Sequence, residues 1–152
     1  MQTRRLGNSD LNLTLVGFGT WAIGGGEWGM GWGPQTEKDS VESILEGSEA
    51  GINWIDTAHA YGFGVSEEMV GKAIKEWGKE VIIATKCGVL PDENNFPKRY
   101  TSRKTITEEV EGSLRRLQVE VIDLYQIHWP EPDENVEEAR QTLLDLKTQG
   151  KI

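Results

Sequence analysis

The chain is poor in several residue types, and each shortage excludes a class of protein. It has a single cysteine, Cys87, so no disulfide can form within it, and a reducing compartment, the cytoplasm, is expected. No apolar run approaches the roughly 18 residues of a membrane span, and the stretch from Met1 to Leu6 lacks the apolar core of a signal peptide. Acidic residues outnumber basic ones 25 to 16, which argues against nucleic acid or an anionic membrane as partner.

The remaining composition, 37% hydrophobic and 27% charged, is typical of one folded domain, which we assign to residues 1–152. Residues 1–13 predict an N-terminal hairpin, because Gly7 to Asp10 has turn composition. Beyond it, four apolar runs alternate with four amphipathic helical patterns. The runs are 15–19, 52–56, 81–86 and 121–128, and the helices are expected to begin near Thr36, Ser66, Thr105 and Asn135.

Four strand–helix repeats predict an α/β fold with a parallel sheet, either doubly wound or closed into a barrel. A doubly wound dinucleotide-binding sheet carries Gly-x-Gly-x-x-Gly between its first strand and helix. The glycine-rich stretch from Gly24 to Gly33 is too long for this motif and lies well before the first helix. We therefore interpret Trp21 to Gly33 as a loop over a pocket, and we favour the barrel.

Polar residues stand at the ends of the last three apolar runs. They are Asp56, Lys86 and His128, and Tyr61 follows Asp56 by five residues. A barrel places its active site at the carboxyl ends of its strands. There Asp56 and Lys86 would pair, and the ammonium group would make the Tyr61 hydroxyl a better proton donor by stabilising its phenolate. His128 would hold a substrate oxygen in position.

These residues alone leave several alternative roles open. Asp56 could cap a turn and Tyr61 could be loop packing. Lys86 could form a Schiff base in a barrel aldolase, and Asp56, His59 and His128 could bind zinc in a hydrolase. His59 is nevertheless expected to face solvent in a loop. An interaction module that keeps the fold without catalysis is the remaining alternative.

Five segments together resemble the aldo-keto reductase family, and they occur in order along the whole chain. They are Gly17-Phe18-Gly19-Thr20-Trp21, Asp56-Thr57-Ala58-x-x-Tyr61-Gly62 with Ser66-Glu67, Ala84-Thr85-Lys86, Ser113-Leu114-x-Arg116-Leu117, and Ile122-Asp123-Leu124-Tyr125-x-x-His128-Trp129-Pro130. Each segment alone is modest evidence, whereas the five together are specific. The resemblance implies a (β/α)8 TIM barrel, of which this chain would form the N-terminal half: four βα units preceded by a short β-hairpin.

The resemblance also implies NAD(P)H-dependent reduction of an aldehyde or ketone, with NADP as the expected cofactor and NAD as the alternative. Tyr61 would donate the proton, Lys86 and Asp56 would support it, and His128 would orient the carbonyl. The implied cofactor contacts are Gly19, Thr20, Trp21 and Asp56. The implied substrate contacts are Trp21, His128 and Trp129, and no metal is implied.

The length departs from the family pattern, since a (β/α)8 barrel takes about 250 residues and this chain has 152. We expect a truncated reductase in which Lys151 and Ile152 begin a fifth strand, with little or no turnover by the chain alone. Its outermost strands would present open edges that favour self-association. The basic residues Lys98, Arg99, Arg103 and Lys104 are interpreted as a solvated loop.

Overall fold

The computed structural model describes residues 1–26, 30–130 and 135–152. The strands are β1 (Thr3–Arg5), β2 (Asn12–Thr14), β3 (Phe18–Gly19), β4 (Trp54–Asp56), β5 (Ile82–Cys87), β6 (Val89–Pro91), β7 (Pro97–Arg99) and β8 (Leu124–Ile127). The helices are α1 (Glu37–Glu49), α2 (Val65–Trp77), α3 (Arg103–Leu117) and α4 (Val136–Thr148), with a short 3-10 helix over Trp21–Gly24. No helix within these ranges is long and apolar enough to cross a membrane.

A four-stranded parallel sheet, in the order β3-β4-β5-β8, organises the molecule. Its strands follow chain order, and α1 packs on α2, α2 on α3, and α3 on α4. A doubly wound sheet would instead reverse its strand order at a switch point. The consecutive order with neighbouring helices is that of a barrel segment, so the prediction of four βα units from a barrel is confirmed. The β1–β2 hairpin precedes them.

The main core lies between the sheet and the helices, because the strands and helices each turn an apolar face toward this layer. Side chains of Ile44, Val70, Ile106, Val110 and Leu146 come from the helices, and Ile55, Ile83 and Ile122 come from the strand segments. Each buried side chain of this size contributes about 1.5–3 kcal/mol relative to exposure. The amphipathic pattern in the sequence places Val136 on the buried face of α4, but its side chain is 40% exposed at the start of this helix.

Two helices begin within two residues of the expected positions, but Ser66 and Thr105 are not their capping residues, and the reason is the same in both cases. Helix α2 begins at Val65 behind Gly64, so Ser66 lies inside its first turn and does not cap it. Helix α3 begins at Arg103, and Ser102 accepts the backbone N–H of Thr105. A Ser or Thr near a helix start has the composition of a cap at several neighbouring positions. Backbone geometry decides which residue fills that position.

Two further features were not predicted correctly. Strands β6 and β7 form a second antiparallel hairpin directly after β5, which brings Arg99 beside Trp129. As a charged residue within an apolar run, Asp123 is expected from the sequence to face out of the sheet at a helix contact, but its carboxylate accepts the backbone N–H of Ile83 near the start of β5. Near the C-terminus, Ile122 donates to the carbonyl of Lys151, so Lys151 lies alongside the segment leading into β8.

Candidate active site

Lys86 is the centre of the polar cluster at the carboxyl end of the sheet. Its Nζ lies 2.8 Å and 2.9 Å from the two carboxylate oxygens of Asp56, 2.9 Å from the Thr57 carbonyl oxygen and 3.2 Å from the Tyr61 hydroxyl. An ammonium group has three N–H donors. Three acceptor groups (the Asp56 carboxylate, the Thr57 carbonyl and the Tyr61 hydroxyl) surround this one, so its position is fixed from three sides.

The strand register explains why these residues meet. Asp56 on β4 stands opposite Ala84 on β5, and Lys86 follows two residues later on the same face of the sheet. The backbone hydrogen bonds continue past the strand ends, since the N–H of Thr57 donates to the Ala84 carbonyl and the N–H of His128 donates to the Cys87 carbonyl. The strand-end pattern in the sequence thus predicted a real cluster.

Tyr61 is carried by a tight loop with unusual backbone angles. Gly62, Phe63 and Gly64 all have positive φ, at 68°, 48° and 108°. A Cβ on Gly62 would lie 2.1 Å from the Gly24 carbonyl oxygen, so only glycine fits between the loop and the 3-10 helix. A positive φ at Phe63 costs stability because an L side chain crowds its own backbone. The loop therefore fixes the position of Tyr61 at a cost in local stability.

His128 and two tryptophans complete the mouth of the site. The His128 ring lies edge-on to Tyr61, with ring centroids 5.5 Å apart, and the Trp129 ring lies 5.3 Å from His128. A cavity of about 190 Å³ opens between these rings. It is lined by Trp21, Met30, Ala60, Tyr61, His128 and Trp129. Of the loop predicted to cover a pocket, Trp21 and Met30 line this cavity, whereas Glu27, Trp28 and Gly29 lie outside the described residues.

Burial sets the charge state of both histidines. It lowers the pKa of His128 to about 4, and the nearby Lys86 charge acts in the same direction. Burial and the charge of Arg116 likewise lower the pKa of His59 to about 4. His59 does not face solvent as expected, because its Nδ1 is buried. Both imidazoles are neutral at physiological pH.

The alternative chemistries fit this geometry poorly. In the described part of the chain, no three His, Cys, Asp or Glu side chains come together as a metal site requires, so Asp56, His59 and His128 do not form the zinc centre considered above. A Schiff-base lysine needs a free lone pair on Nζ. The contacts of Lys86 are those of an ammonium donor, which leaves no lone pair for attack.

Comparison with known proteins identifies the family to which this arrangement belongs. Residues 15–152 match the profile of the Aldo/keto reductase family. The chain belongs to the aldo/keto reductase family. It is 48% identical over its full length to the aldo-keto reductase YhdN of Bacillus subtilis (strain 168), of which it covers 45%. It is 39% identical, over 97% of its length, to the NADH-specific methylglyoxal reductase of Escherichia coli (strain K12), of which it covers 48%.

Solved structures support the same assignment. The chain superposes on the glycerol dehydrogenase AKR11B4 from Gluconobacter oxydans with a TM-score of 0.86 and 44% sequence identity, covering 99% of this chain and 46% of that one. This chain therefore spans about half the length of the relatives it matches. Aldo/keto reductases use NAD(P)H, and the fold seen here is a segment of their TIM barrel.

The residues expected to hold the cofactor of an aldo/keto reductase fall into two groups. Gly19 lies next to Asp56 across the β3–β4 pair, and a Cβ built on it meets no atom of the described residues within 4 Å, so these residues leave space above it. Trp21 is 41% exposed beside this space. Thr20 is fully buried instead, and its hydroxyl donates to the Asp56 carbonyl. The contacts of Gly19, Thr20, Trp21 and Asp56 with the cofactor stay a prediction.

The sequence did not predict a set of buried polar residues, which lies on the helix side of the same strand ends. Ser66, Glu67, Thr20, Thr57 and Thr85 are each fully buried. Thr85 donates to Glu67, and Arg116 pairs with the other Glu67 oxygen at 2.7 Å. The signal for this set was a threonine beside the end of each of three strands, next to Trp21, Asp56 and Lys86.

Proposed function

We propose that this chain supplies the catalytic residues of an NAD(P)H-dependent reductase that converts small aldehydes or ketones to alcohols. The observation that carries the proposal is the single Lys86 ammonium that contacts both the Asp56 carboxylate and the Tyr61 hydroxyl. A phenol held beside a positive charge is suited to donate a proton, because the charge stabilises the phenolate that remains. His128 stands across the cavity from the same hydroxyl.

The proposed reaction divides between the cofactor and the residues of the site. The nicotinamide cofactor, when bound, supplies the hydride that adds to the carbonyl carbon. Tyr61 donates its hydroxyl proton to the carbonyl oxygen, which completes the alcohol, and solvent later returns a proton to the phenolate. Asp56 holds Lys86 against Tyr61 throughout. Neutral His128, whose Nδ1 is buried, presents its other ring nitrogen to the carbonyl oxygen.

The named relatives and the walls of the cavity support a small substrate. The part of the cavity that this chain forms beside Tyr61 measures about 190 Å³. Trp21 and Trp129 give it flat apolar walls. The relatives named for methylglyoxal and glycerol act on three-carbon compounds, and we extend that size class to this protein. Methylglyoxal and dihydroxyacetone are therefore the first substrates to test.

The choice of nucleotide and the cellular location are part of the proposal. We keep NADPH as the expected cofactor and NADH as the alternative, since the relative from Escherichia coli is named NADH-specific. A cytoplasmic location fits the low cysteine content. Self-association through the edges of the β3-β4-β5-β8 sheet is tested by size-exclusion chromatography with light scattering, which separates a monomer from a dimer.

The function is tested with two proteins, because this chain spans about half of its relatives. One is the 152-residue chain. The other is a chimera in which this chain replaces the YhdN segment that it matches. We expect the chimera to oxidise NADPH or NADH only when a carbonyl is present, and the chain alone to show little turnover.

A Tyr61→Phe variant of the chimera should lose about 10²- to 10⁴-fold in turnover, since general acid catalysis contributes that much. Unchanged turnover in this variant would remove Tyr61 as the acid. Complete inactivity of the unmodified chimera, with cofactor still bound, would favour the interaction-module alternative.

A further inference from the structure

The first turn of α2 contains Ser66 and Glu67. Hydrogen bonds of their backbone and side chains link them to the cluster formed by Asp56, Lys86 and Tyr61. Both side chains are fully buried, although serine and glutamate at the start of a helix usually face water. Burial of a carboxylate is costly unless it is paired and hydrogen-bonded. The hydrogen bonds of the two side chains explain their burial.

Ser66 lies in a chain of hydroxyl groups that ends on the backbone of Asp56. Its hydroxyl donates to the Thr20 hydroxyl at 2.7 Å, and the Thr20 hydroxyl donates to the Asp56 carbonyl at 3.1 Å. The Thr57 hydroxyl, 3.0 Å from Ser66, completes the chain as the first donor. Hydroxyl groups that each donate once and accept once polarise one another and strengthen the chain.

The backbone of Ser66 reaches the second residue of the cluster. Its N–H donates to the carbonyl oxygen of Tyr61 at 3.2 Å. One residue of α2 therefore holds the end of β4, where Asp56 lies, and the start of the loop that carries Tyr61. The Thr57 carbonyl that accepts from Lys86 belongs to the same short segment.

Glu67 holds the third residue through its neighbour on β5. Thr85 donates to one Glu67 oxygen at 2.6 Å, and Lys86 is the next residue along the strand. Successive side chains of a strand point to opposite faces, so fixing Thr85 on the helix side fixes Lys86 on the cavity side. The other Glu67 oxygen accepts Arg116 Nε at 2.8 Å, which neutralises the buried charge.

We propose that Ser66 and Glu67 are positioning residues for the reaction: their buried side chains set the distances between Asp56, Lys86 and Tyr61 from the helix side of the sheet. The expected loss of turnover rests on the proposed function, whereas the positioning of the three side chains does not. Displacement of a catalytic group by about 1 Å lowers turnover by up to about 10²-fold. Ground-state binding of a small carbonyl in the cavity does not depend on these contacts.

The kinetic test compares Thr85→Val with Thr142→Val in the chimera. Both threonines are buried, and Thr142 donates to the Glu138 carbonyl of its own helix α4, away from the site. We expect Thr85→Val to lower kcat by about 10-fold or more with KM changed by less than about twofold. Thr85→Ser, which keeps the hydroxyl, should retain kcat. Equal kcat in Thr85→Val and Thr142→Val would overturn the proposal.

Ser66→Ala provides a second variant if Thr85→Val does not fold, and the same criterion applies to it: lost kcat supports the proposal, and retained kcat overturns it.

A separate measurement needs no activity. In the 152-residue chain, acetic anhydride labelling followed by peptide mass spectrometry reports how tightly Lys86 is held. We expect several-fold more labelling of Lys86 in Thr85→Val, with Lys104 unchanged as the internal control. Unchanged Lys86 labelling would contradict the proposal even if the chimera were inactive.

Discussion

Two ion pairs lie on opposite faces of β5, and they differ in how much of their side chains is exposed to water. On the cavity side, the Lys86 and Asp56 side chains are 13% and 32% exposed, and the pair touches Tyr61. On the helix side, the Arg116 side chain is 21% exposed and Glu67 is completely buried. The first pair is open to a ligand, whereas the second can act only on the protein. We infer that the cavity-side pair serves chemistry and that the helix-side pair maintains structure and position.

Removing the cavity-side cation should produce the largest effect. Lys86→Met takes away the charge beside Tyr61, and turnover of the chimera should fall about 10²- to 10⁴-fold. Asp56 stays partly hydrated, so the fall in unfolding free energy should be modest. Lys104→Met is the matched control, because the Lys104 side chain is 82% exposed. Steady-state kinetics and urea unfolding measure both quantities, and a stability loss without a kinetic loss would reverse our assignment of this pair.

Removing the helix-side cation should have its largest effect on stability. Arg116→Met leaves the Glu67 carboxylate buried without its charge partner, which costs about 3–5 kcal/mol of unfolding free energy. Arg140→Met is the control, since Arg140 pairs with Glu137 on the surface and such pairs contribute about 0–1 kcal/mol. Equal losses in the two variants, measured by urea unfolding, would show that the helix-side pair is no more than a surface interaction.

A buried carboxylate on α3 adds a pH dependence to the helix side. Burial raises the pKa of Glu109 to about 8 from an ordinary value of 4.5, and both of its oxygens accept the Gly88 N–H. Between these pH values the folded protein holds a proton that the unfolded chain has released. The contribution of Glu109 to stability should therefore fall as pH rises from 4.5 to 8, by up to about 1.4 kcal/mol per pH unit.

Glu109→Gln should flatten this fall, and urea unfolding at pH 6.5 and pH 8 is the measurement. The two histidines, with folded pKa values of about 4 against an ordinary value of 6.5, make the same contribution to the slope in wild type and variant, so the difference between the two proteins isolates Glu109. An equal slope in wild type and variant would show that Glu109 is ionised throughout.

The smallest effect is expected from His59 in acid. Its folded pKa of about 4 lies below the ordinary value of 6.5, so the unfolded chain takes up a proton before the folded one does. The contribution of His59 to stability should therefore fall as pH drops from 6.5 to 4, and the loss of stability in acid should be smaller in His59→Gln than in wild type. Thermal unfolding at the two pH values tests this, and an unchanged slope would place the acid sensitivity in other groups.

The cavity side was predictable from the sequence, and the helix side was not. Asp56, Lys86 and His128 end apolar runs, and parallel strands bring such ends together, so their proximity follows from pattern alone. Ser66 and Glu67 instead have the composition of a helix N-terminus, where a cap and an acidic first turn are ordinary. Only the packing of α2 against the strand ends shows that their side chains point inward.

The remaining misses have similar causes. His59 resembles an exposed loop residue, but its Nδ1 is buried, and the charge of Arg116 acts with this burial to lower its pKa. The four basic residues are exposed to solvent as expected, but they lie on β7 and at the start of α3 and not in a loop. There Arg103 pairs with Asp145, Lys104 approaches Glu108, and Arg99 lies over the Trp129 ring. These outcomes depend on which helix or hairpin lies nearby. Such information lies in tertiary contacts and not in local composition.

The most direct test follows a label from the cofactor to the product. The chimera is given methylglyoxal or dihydroxyacetone with NADPH or NADH that carries deuterium at the transferable position, and the alcohol is analysed by mass spectrometry. The proposed reaction predicts one deuterium on the former carbonyl carbon, and the Lys86→Met and Tyr61→Phe variants should form this product far more slowly. An alcohol formed without deuterium would contradict direct hydride transfer. Equal rates in the variants would contradict the assignment of the chemistry to the cavity side of β5.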